Sequence, residues 1–367
     1  MTPAPNTRRL TLLCLAALAA GYFLSGSITR WMRDDAGVEH DFEAMRTYAR
    51  ITIPKGEGND GLTPAELAQK AEEAVREISD LMGPVGNTSD VRALNEAPAG
   101  TWVELNPLTW RVLMEALRFH RLSGGAFDPT IGPVKKLFKF ERAETDFWPA
   151  EDDLRQAQES TGADKILYAR EGMRAALARP GMRLDFGAIA KGYGADRAAE
   201  VLAAHGVRNA LINIGGELRV MGLKPGSPAT QWRAGIRNPR DDSIIEELPL
   251  SDAAVATSGD YENYFIYKGQ RYEHIIDPRT KLPLTERVAS VTVIHPTSCM
   301  IADALATTLC VLGPEAGAEF VRSQALGLFS GGVRVIMLCV RPGGTLARTE
   351  LVVSNQGEFS QSTSDVQ

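Results

Sequence analysis

Two oxygen-bearing side chains, Asp303 and Thr307, stand four residues apart in the otherwise apolar stretch IADALATTLCVLG. If that stretch is helical, the two share one face, a single turn apart. A carboxylate and a hydroxyl on an apolar face are costly unless something binds them. Hard cations such as Mg²⁺ take such oxygens, usually one or two carboxylates with phosphate oxygens beside them. The same spacing also fits an Asp near a helix start and a Thr bonded to the preceding turn, and spacing alone leaves both readings open. A second segment, LDFGAIAKGYGADR at 184–197, runs from a strand-like entry ending at Asp185, through a glycine turn at 187–191, into a helix. Its lysine precedes a glycine, so it is not the Gly-x-x-x-x-Gly-Lys phosphate loop. Even so, a helix N-terminus offers N–H groups and a positive dipole end to an anion. Lys191, in the first turn, sits unfavourably against that dipole unless an anion is bound. An ordinary glycine-rich strand-to-helix turn is the competing reading.

Two further groups lie in turn-rich segments. GGAFDPTIGP sets Asp128 between Phe127 and a proline, and SGDYENYF with EHIIDPRT supplies Asp260, Tyr261, His274 and Asp277. Of five histidines, His274 is the one flanked by both acids and turn residues. His120 and His205 suit helix ends, where a cation is favoured. A lone histidine is more often structural than catalytic, so His274 enters as a candidate acid–base group and no more.

The elements that must position these residues are legible in outline. LTPAELAQKAEEAVREISDLM is an amphipathic helix with Thr63 as cap, Pro64 in the first turn and Glu66 completing a capping box. A loop at 83–90 follows, then a second helix ended by Gly124 and Gly125. Pro129 and Pro133 predict an irregular segment, followed by a polar helix near 149–160 and short strands at 164–169, 173–178 and 182–186. The helix after Asp185 closes at Gly206. Strands then follow at VRNALINI and GELRVMGL, joined by Gly215 and Gly216, and at WRAGIR, AAVATSG, NYFIY and VASVTVIHP. Helices MIADALATTLCVLG and PEAGAEFVRSQA precede strands near 333–341 and 346–353, and a polar tail at 356–367 is expected to be loose. Helices and strands intermingle without a βαβ repeat, which predicts an α+β fold with one catalytic domain of mixed sheets and packed helices over 41–355.

Composition narrows the class. The 367 residues are 44% hydrophobic and 23% charged, with a net charge of −6, which argues against nucleic acid as a partner. Arg8 and Arg9, an apolar run at 10–24 and the small residues Ser25, Gly26 and Ser27 read as an export signal over 1–30, whose start also resembles the twin-arginine type while leaving the Sec route open. The run is also long enough to serve as an uncleaved membrane anchor. The protein is therefore expected on the periplasmic side, soluble after cleavage or anchored to the inner membrane. Cys14 lies in that run, Cys299, Cys310 and Cys339 lack metal-type spacing, and Cys310 and Cys339, set in apolar runs, read as buried thiols.

Taken in order, GGAFDPTIGP, LDFGAIAKGYGADRAAEVL, NALINIGGELRVMG, WRAGIRNP, AVATSGDYENYF, HIIDPRT and SVTVIHPTSCMIADALATTLCVLGPEAG resemble the ApbE-type FAD:protein FMN transferases. The resemblance implies FAD as substrate, Mg²⁺ as cofactor, and FMN joined by a phosphoester to a Thr or Ser of an exported or membrane flavoprotein, with release of AMP. By position it implies the Ala188 carbonyl, Asp303 and Thr307 as metal ligands, and Asp185 and Lys191 against FAD. Met45, Ala126, Phe127, Asp128, Ile275 and Met300 would contact the flavin nucleotide. His274 would be the base, oriented by Asp277 or Asp260. Two departures stand out: the loop MGPVGNTSDVRALN lacks the aromatic residue common in the family, and Lys281 replaces the glycine of DPRTG. A Mg²⁺-dependent FAD pyrophosphatase would use the same site with water in place of the acceptor hydroxyl, whereas an FAD-binding assembly factor without turnover would not need the base.

Overall fold

A computed structural model describes residues 37–366 except 85, 139, 141, 142, 227, 242, 262 and 286; the expected export signal or anchor lies outside the described residues. Strands β1 (Val38–Ala44) and β2 (Thr47–Ile53) lead to helix α1 (Pro64–Met82), α2 (Asp90–Glu96), β3 (Val103–Glu104) and α3 (Pro107–Leu122). Next come α4 (Gly132–Leu137), β4 (Ala143–Glu144), α5 (Glu151–Glu159), β5 (Ile166–Ala169) and β6 (Arg174–Leu177). Helix α6 (Ala190–Ala204) precedes β7 (Ala210–Ile214), β8 (Glu217–Met221), β9 (Trp232–Arg237), β10 (Ile244–Leu250) and β11 (Ala253–Gly259). Strands β12 (Tyr264–Tyr267), β13 (Gln270–Asp277), β14 (Leu282–Thr285) and β15 (Val288–His295) lead to α7 (Cys299–Ser323), and β16 (Val333–Val340), β17 (Leu346–Val353) and β18 (Phe359–Asp365) end the chain.

A nine-stranded sheet of order β1-β2-β7-β8-β11-β15-β16-β17-β18 forms the frame, antiparallel at every pairing. One face carries α1, α6 and α7, and the other is covered by the β9–β10 ribbon. Strand β15 changes face at the register shift between Val288 and Ser290, so Val291 and Val293 pack toward the helices while Ala289 faces the ribbon. A four-stranded sheet, β14-β13-β12-β4, packs with α4 and α5 around Phe138, Phe265 and Ile276, and a three-stranded sheet, β3-β6-β5, completes the fold.

Local chemistry explains the main joints. Thr63 Oγ1 accepts the Glu66 N–H at 3.3 Å and Glu66 accepts the Thr63 N–H at 2.8 Å, the expected capping box. Gly215 and Gly216 have φ of 61° and 100°, as a two-residue hairpin requires, and the turn sets Glu217 opposite Ile214. Gly313 (φ 75°) and Pro314 break α7 into the two helical pieces expected from sequence.

Several expectations change. Residues 182–186 form no strand; Asp185 N–H donates only to the Pro129 carbonyl, at 2.8 Å. The segment expected to be irregular contains α4, because Pro133 is tolerated in a first turn. Residues 359–365 are not loose but pair along all of β17. The expected loop runs only to Ser89, and the helix α2 that follows it is unexpected from sequence; its cap Ser89 accepts the Arg92 N–H at 3.0 Å.

Candidate active site

The site is organised by a close crossing of α6 and α7. A Cβ on Gly192 would fall 2.2 Å from the Cys299 carbonyl oxygen and 2.9 Å from the Asp303 Cβ, so the helices meet at a distance only glycine permits. Asp196, one turn on, locks the crossing. Its carboxylate accepts N–H bonds from Cys299 (2.8 Å) and Met300 (3.0 Å) and the Ser298 hydroxyl (2.8 Å), capping the start of α7. The glycines at 192 and 194 therefore serve helix packing, and only Gly187 belongs to the turn before α6.

This crossing brings the expected metal pair to a cleft. Asp303, 3% exposed, accepts the Gly192 N–H at 3.0 Å through Oδ2, and the Thr307 hydroxyl lies 3.2 Å from that of Ser258 on β11. Both line one cleft with Ala188, Lys191, Asp185 and His274. Ala126, Phe127, Asp128 and Ile275 also line it. Met45 and Met300 do not. Met45 packs against Gly194 in the seam beside α1, and Met300 is held by Asp196 on the far side of the helix crossing, in a second pocket with Arg111 and Arg219.

Two charged residues of the cleft escaped sequence reasoning. Glu217, 2% exposed, forms an ion pair with Lys191, and its Oε2 is buried without a hydrogen-bond partner. Lys135 on α4 pairs with Asp185 Oδ2 at 3.3 Å. In sequence, Glu217 is an ordinary position in a strand and Lys135 lies in the segment expected to be irregular, so neither carried a signal beyond its charge.

Electrostatics divides the groups. Burial pushes the Asp303 and Glu217 carboxyls up, with Lys191 opposing. Burial acts the same way on Asp185, but Lys135, the Gly187 amide (2.7 Å) and Arg46 outweigh it and hold that carboxyl below its usual range. Asp128 is fully engaged: Oδ1 accepts from the Thr130 amide (2.7 Å) and hydroxyl (2.6 Å) and Oδ2 from the Ala163 amide (3.0 Å), shaping the loop that presents Ala126 and Phe127.

His274 stands on β13 with its Nδ1 3.2 Å from the Asn263 carbonyl, an arrangement in which Nδ1–H donates and Nε2 keeps its lone pair. Burial, then Lys135 and Lys191, drive its pKa down to about 4. Neither expected orienting acid reaches the ring. Asp260 is claimed by Arg240 at 2.9 Å through both oxygens. Asp277 is claimed by Arg279, at 2.9 and 2.8 Å, whose Nη2 also donates to the Val311 carbonyl at 3.0 Å. Each carboxylate is drawn to a guanidinium able to bind it bidentately, and the ring falls to a backbone carbonyl instead.

The donor set suits a hard cation. The Asp303 carboxylate, Thr307 hydroxyl and Ala188 carbonyl are all oxygen donors, and the Glu217 Oε2 lining the same cleft is buried without a partner. Among the described residues no three His, Cys, Asp or Glu side chains gather into a complete metal cage. An ion that keeps waters and takes phosphate oxygens, as Mg²⁺ does, fits such an incomplete set.

Comparison with known proteins agrees with the architecture and the motif order. An FAD:protein FMN transferase of Vibrio cholerae serotype O1 is 38% identical over 255 residues, 68% of this chain and 75% of that one. An FAD:protein FMN transferase of Rhodobacter capsulatus is 30% identical over 354 residues, 95% of this chain and 64% of its own. The solved flavin transferase ApbE from Vibrio cholerae superposes with a TM-score of 0.73 at 30% identity, covering 88% of this chain and 99% of that one. The ApbE protein of Thermotoga maritima gives 0.71 at 31%, covering 84% and 96%. The sequence profile of the ApbE family matches residues 45–329, a span that holds every residue of the cleft, and the chain belongs to that family.

Proposed function

We propose that this protein is a Mg²⁺-dependent FAD:protein FMN transferase acting on an exported or membrane flavoprotein. In the reaction, a Thr or Ser hydroxyl oxygen of the acceptor bonds to the FMN-side phosphorus, the bond from that phosphorus to the bridging oxygen breaks, and AMP leaves with that oxygen. The observation that supports this reading best is convergence: Asp128, Asp185, Lys191, His274, Asp303 and Thr307 come from four separate stretches of chain and line one cleft.

Each residue has work suited to its surroundings. Lys191 and Lys135 place positive charge where a diphosphate would lie, and such transfer is catalysed mainly by positioning and charge neutralisation. Asp185 tethers Lys135 and the Gly187 turn. The His274 imidazole, kept neutral by burial and oriented by the Asn263 carbonyl, takes the acceptor proton at Nε2. Mg²⁺ held by Asp303, Thr307 and the Ala188 carbonyl would neutralise charge building on the phosphate oxygens. Arg8 and Arg9 before the apolar run support export, which would bring enzyme and acceptor into one compartment.

The test is incubation of the purified protein with FAD, MgCl₂ and a candidate exported flavoprotein, read by mass spectrometry. The expected product is an acceptor Thr or Ser carrying FMN less one water, with AMP released. Free FMN and AMP without an adduct would make the protein a pyrophosphatase. FAD that is bound but unchanged would make it an assembly factor. Either result overturns the proposal.

A further inference from the structure

Glu217 has one oxygen accounted for and one that is not. It opens β8 directly after the two-glycine turn, so its position is fixed by a two-residue hairpin of the central sheet. One oxygen meets the Lys191 ammonium; the other, Oε2, is buried with no hydrogen-bond partner although the residue lines the cleft. A buried carboxylate oxygen left unsatisfied is expensive and calls for a partner not yet in place.

The surroundings indicate the kind of partner. Lys191 and Gly192 are consecutive in the first turn of α6: the side chain of the first reaches Glu217 and the amide of the second reaches Asp303. Two buried carboxylates thus flank one helical turn, with the Lys191 ammonium paired to the Glu217 side. A hydroxyl donor from a nucleotide would satisfy Oε2 but leave the excess negative charge buried. A divalent cation answers both. We propose that Glu217 is a further oxygen donor to the divalent cation of this cleft, engaged through Oε2 in the resting protein before FAD arrives. This rests on reading the cleft as a metal-dependent site and adds a residue to it.

Mn²⁺ serves as the probe, since it shares the preference for oxygen ligands and its binding is read directly by electron paramagnetic resonance. The full-length protein is titrated without FAD, so no turnover is needed. Glu217→Gln keeps size and shape but removes the charge, and should weaken Mn²⁺ binding about 10–100-fold, the range seen when a supporting residue of a metal site is lost. Lys191→Met should tighten binding while Glu217 is present, and much less in the double variant. A folded Glu217→Gln protein that binds Mn²⁺ as the wild type does, or a Lys191→Met gain that is undiminished in the double variant, overturns the inference. Should Glu217→Gln fail to fold, Glu217→Asp draws the oxygen back by one methylene and carries the test: weakened binding supports the inference, unchanged binding overturns it. If the wild type itself takes up no Mn²⁺, the metal-dependent reading of the cleft fails first, and this inference falls with it.

Discussion

His274 is kept neutral by its surroundings, and that has consequences in two directions. With a pKa near 4, the ring stays a proton acceptor across the neutral range. The acid limb of the transfer rate contributed by this group should therefore lie near pH 4, well below the ordinary histidine value; a limb near 6.5 that vanishes in His274→Gln would contradict the assignment. His274→Gln should lower kcat by about 10²–10⁴ and leave FAD affinity within a few-fold, checked by steady-state kinetics beside direct FAD titration. His295 is driven to about 4 as well, by burial and Arg219, and its Nδ1 lies 3.2 and 3.0 Å from the Thr297 and Ser298 amides. Both rings bind protons more tightly unfolded than folded, so stability is complete above pH 6.5 and is lost as pH falls toward 4. Urea midpoints across that window should decline, and His295→Asn should flatten the slope. At this scale the sequence was informative wherever type and spacing acted together, as for Asp303 with Thr307. Glu217 and Lys135 were opaque because their meaning lies in partners far along the chain.

Among elements, the α6–α7 crossing carries the site. Gly192→Ala would drive a methyl into the Cys299 carbonyl, a backbone atom that cannot swing aside. The expected cost is about 1–3 kcal/mol in chemical denaturation, with FAD affinity lost out of proportion because the Gly192 amide also holds Asp303. Gly194→Ala is the control: its nearest neighbour is the Met45 sulfur at 3.0 Å, the end of a flexible side chain, and it should be tolerated far better. Asp196→Ala removes three hydrogen bonds from the start of α7 and should cost about as much as a lost helix cap, about 0.5–2 kcal/mol. Helices bounded by caps and glycines could be read ahead of the structure. The purpose of the glycines in KGYGADR could not, since a glycine serving a turn and one serving a helix crossing look alike until the second helix is in place.

For the whole molecule, the sheet order was the least legible feature. Nothing local in β2 announces that its neighbour is β7, some 160 residues away, since pairing is decided by which apolar faces the helices cover. Strand β18 was missed for a related reason: its polar residues read as tail, yet they shield the edge of β17, whose Leu346, Leu351 and Val353 are buried. Deleting 356–367 should lower the melting temperature and promote aggregation in light scattering. FAD affinity should hold, because β18 lies four strands from β11, about 19 Å across the sheet. At the opposite corner, Arg279 moors the turn after β13 to the Val311 carbonyl on α7. The imidazole and the oxygen pair on α7 are thereby clamped to one another, like fixtures on a jig. No jaw is needed to bring them into register, and the adjustment falls to the visiting protein, which must offer its hydroxyl on a stretch of chain slender enough to reach in.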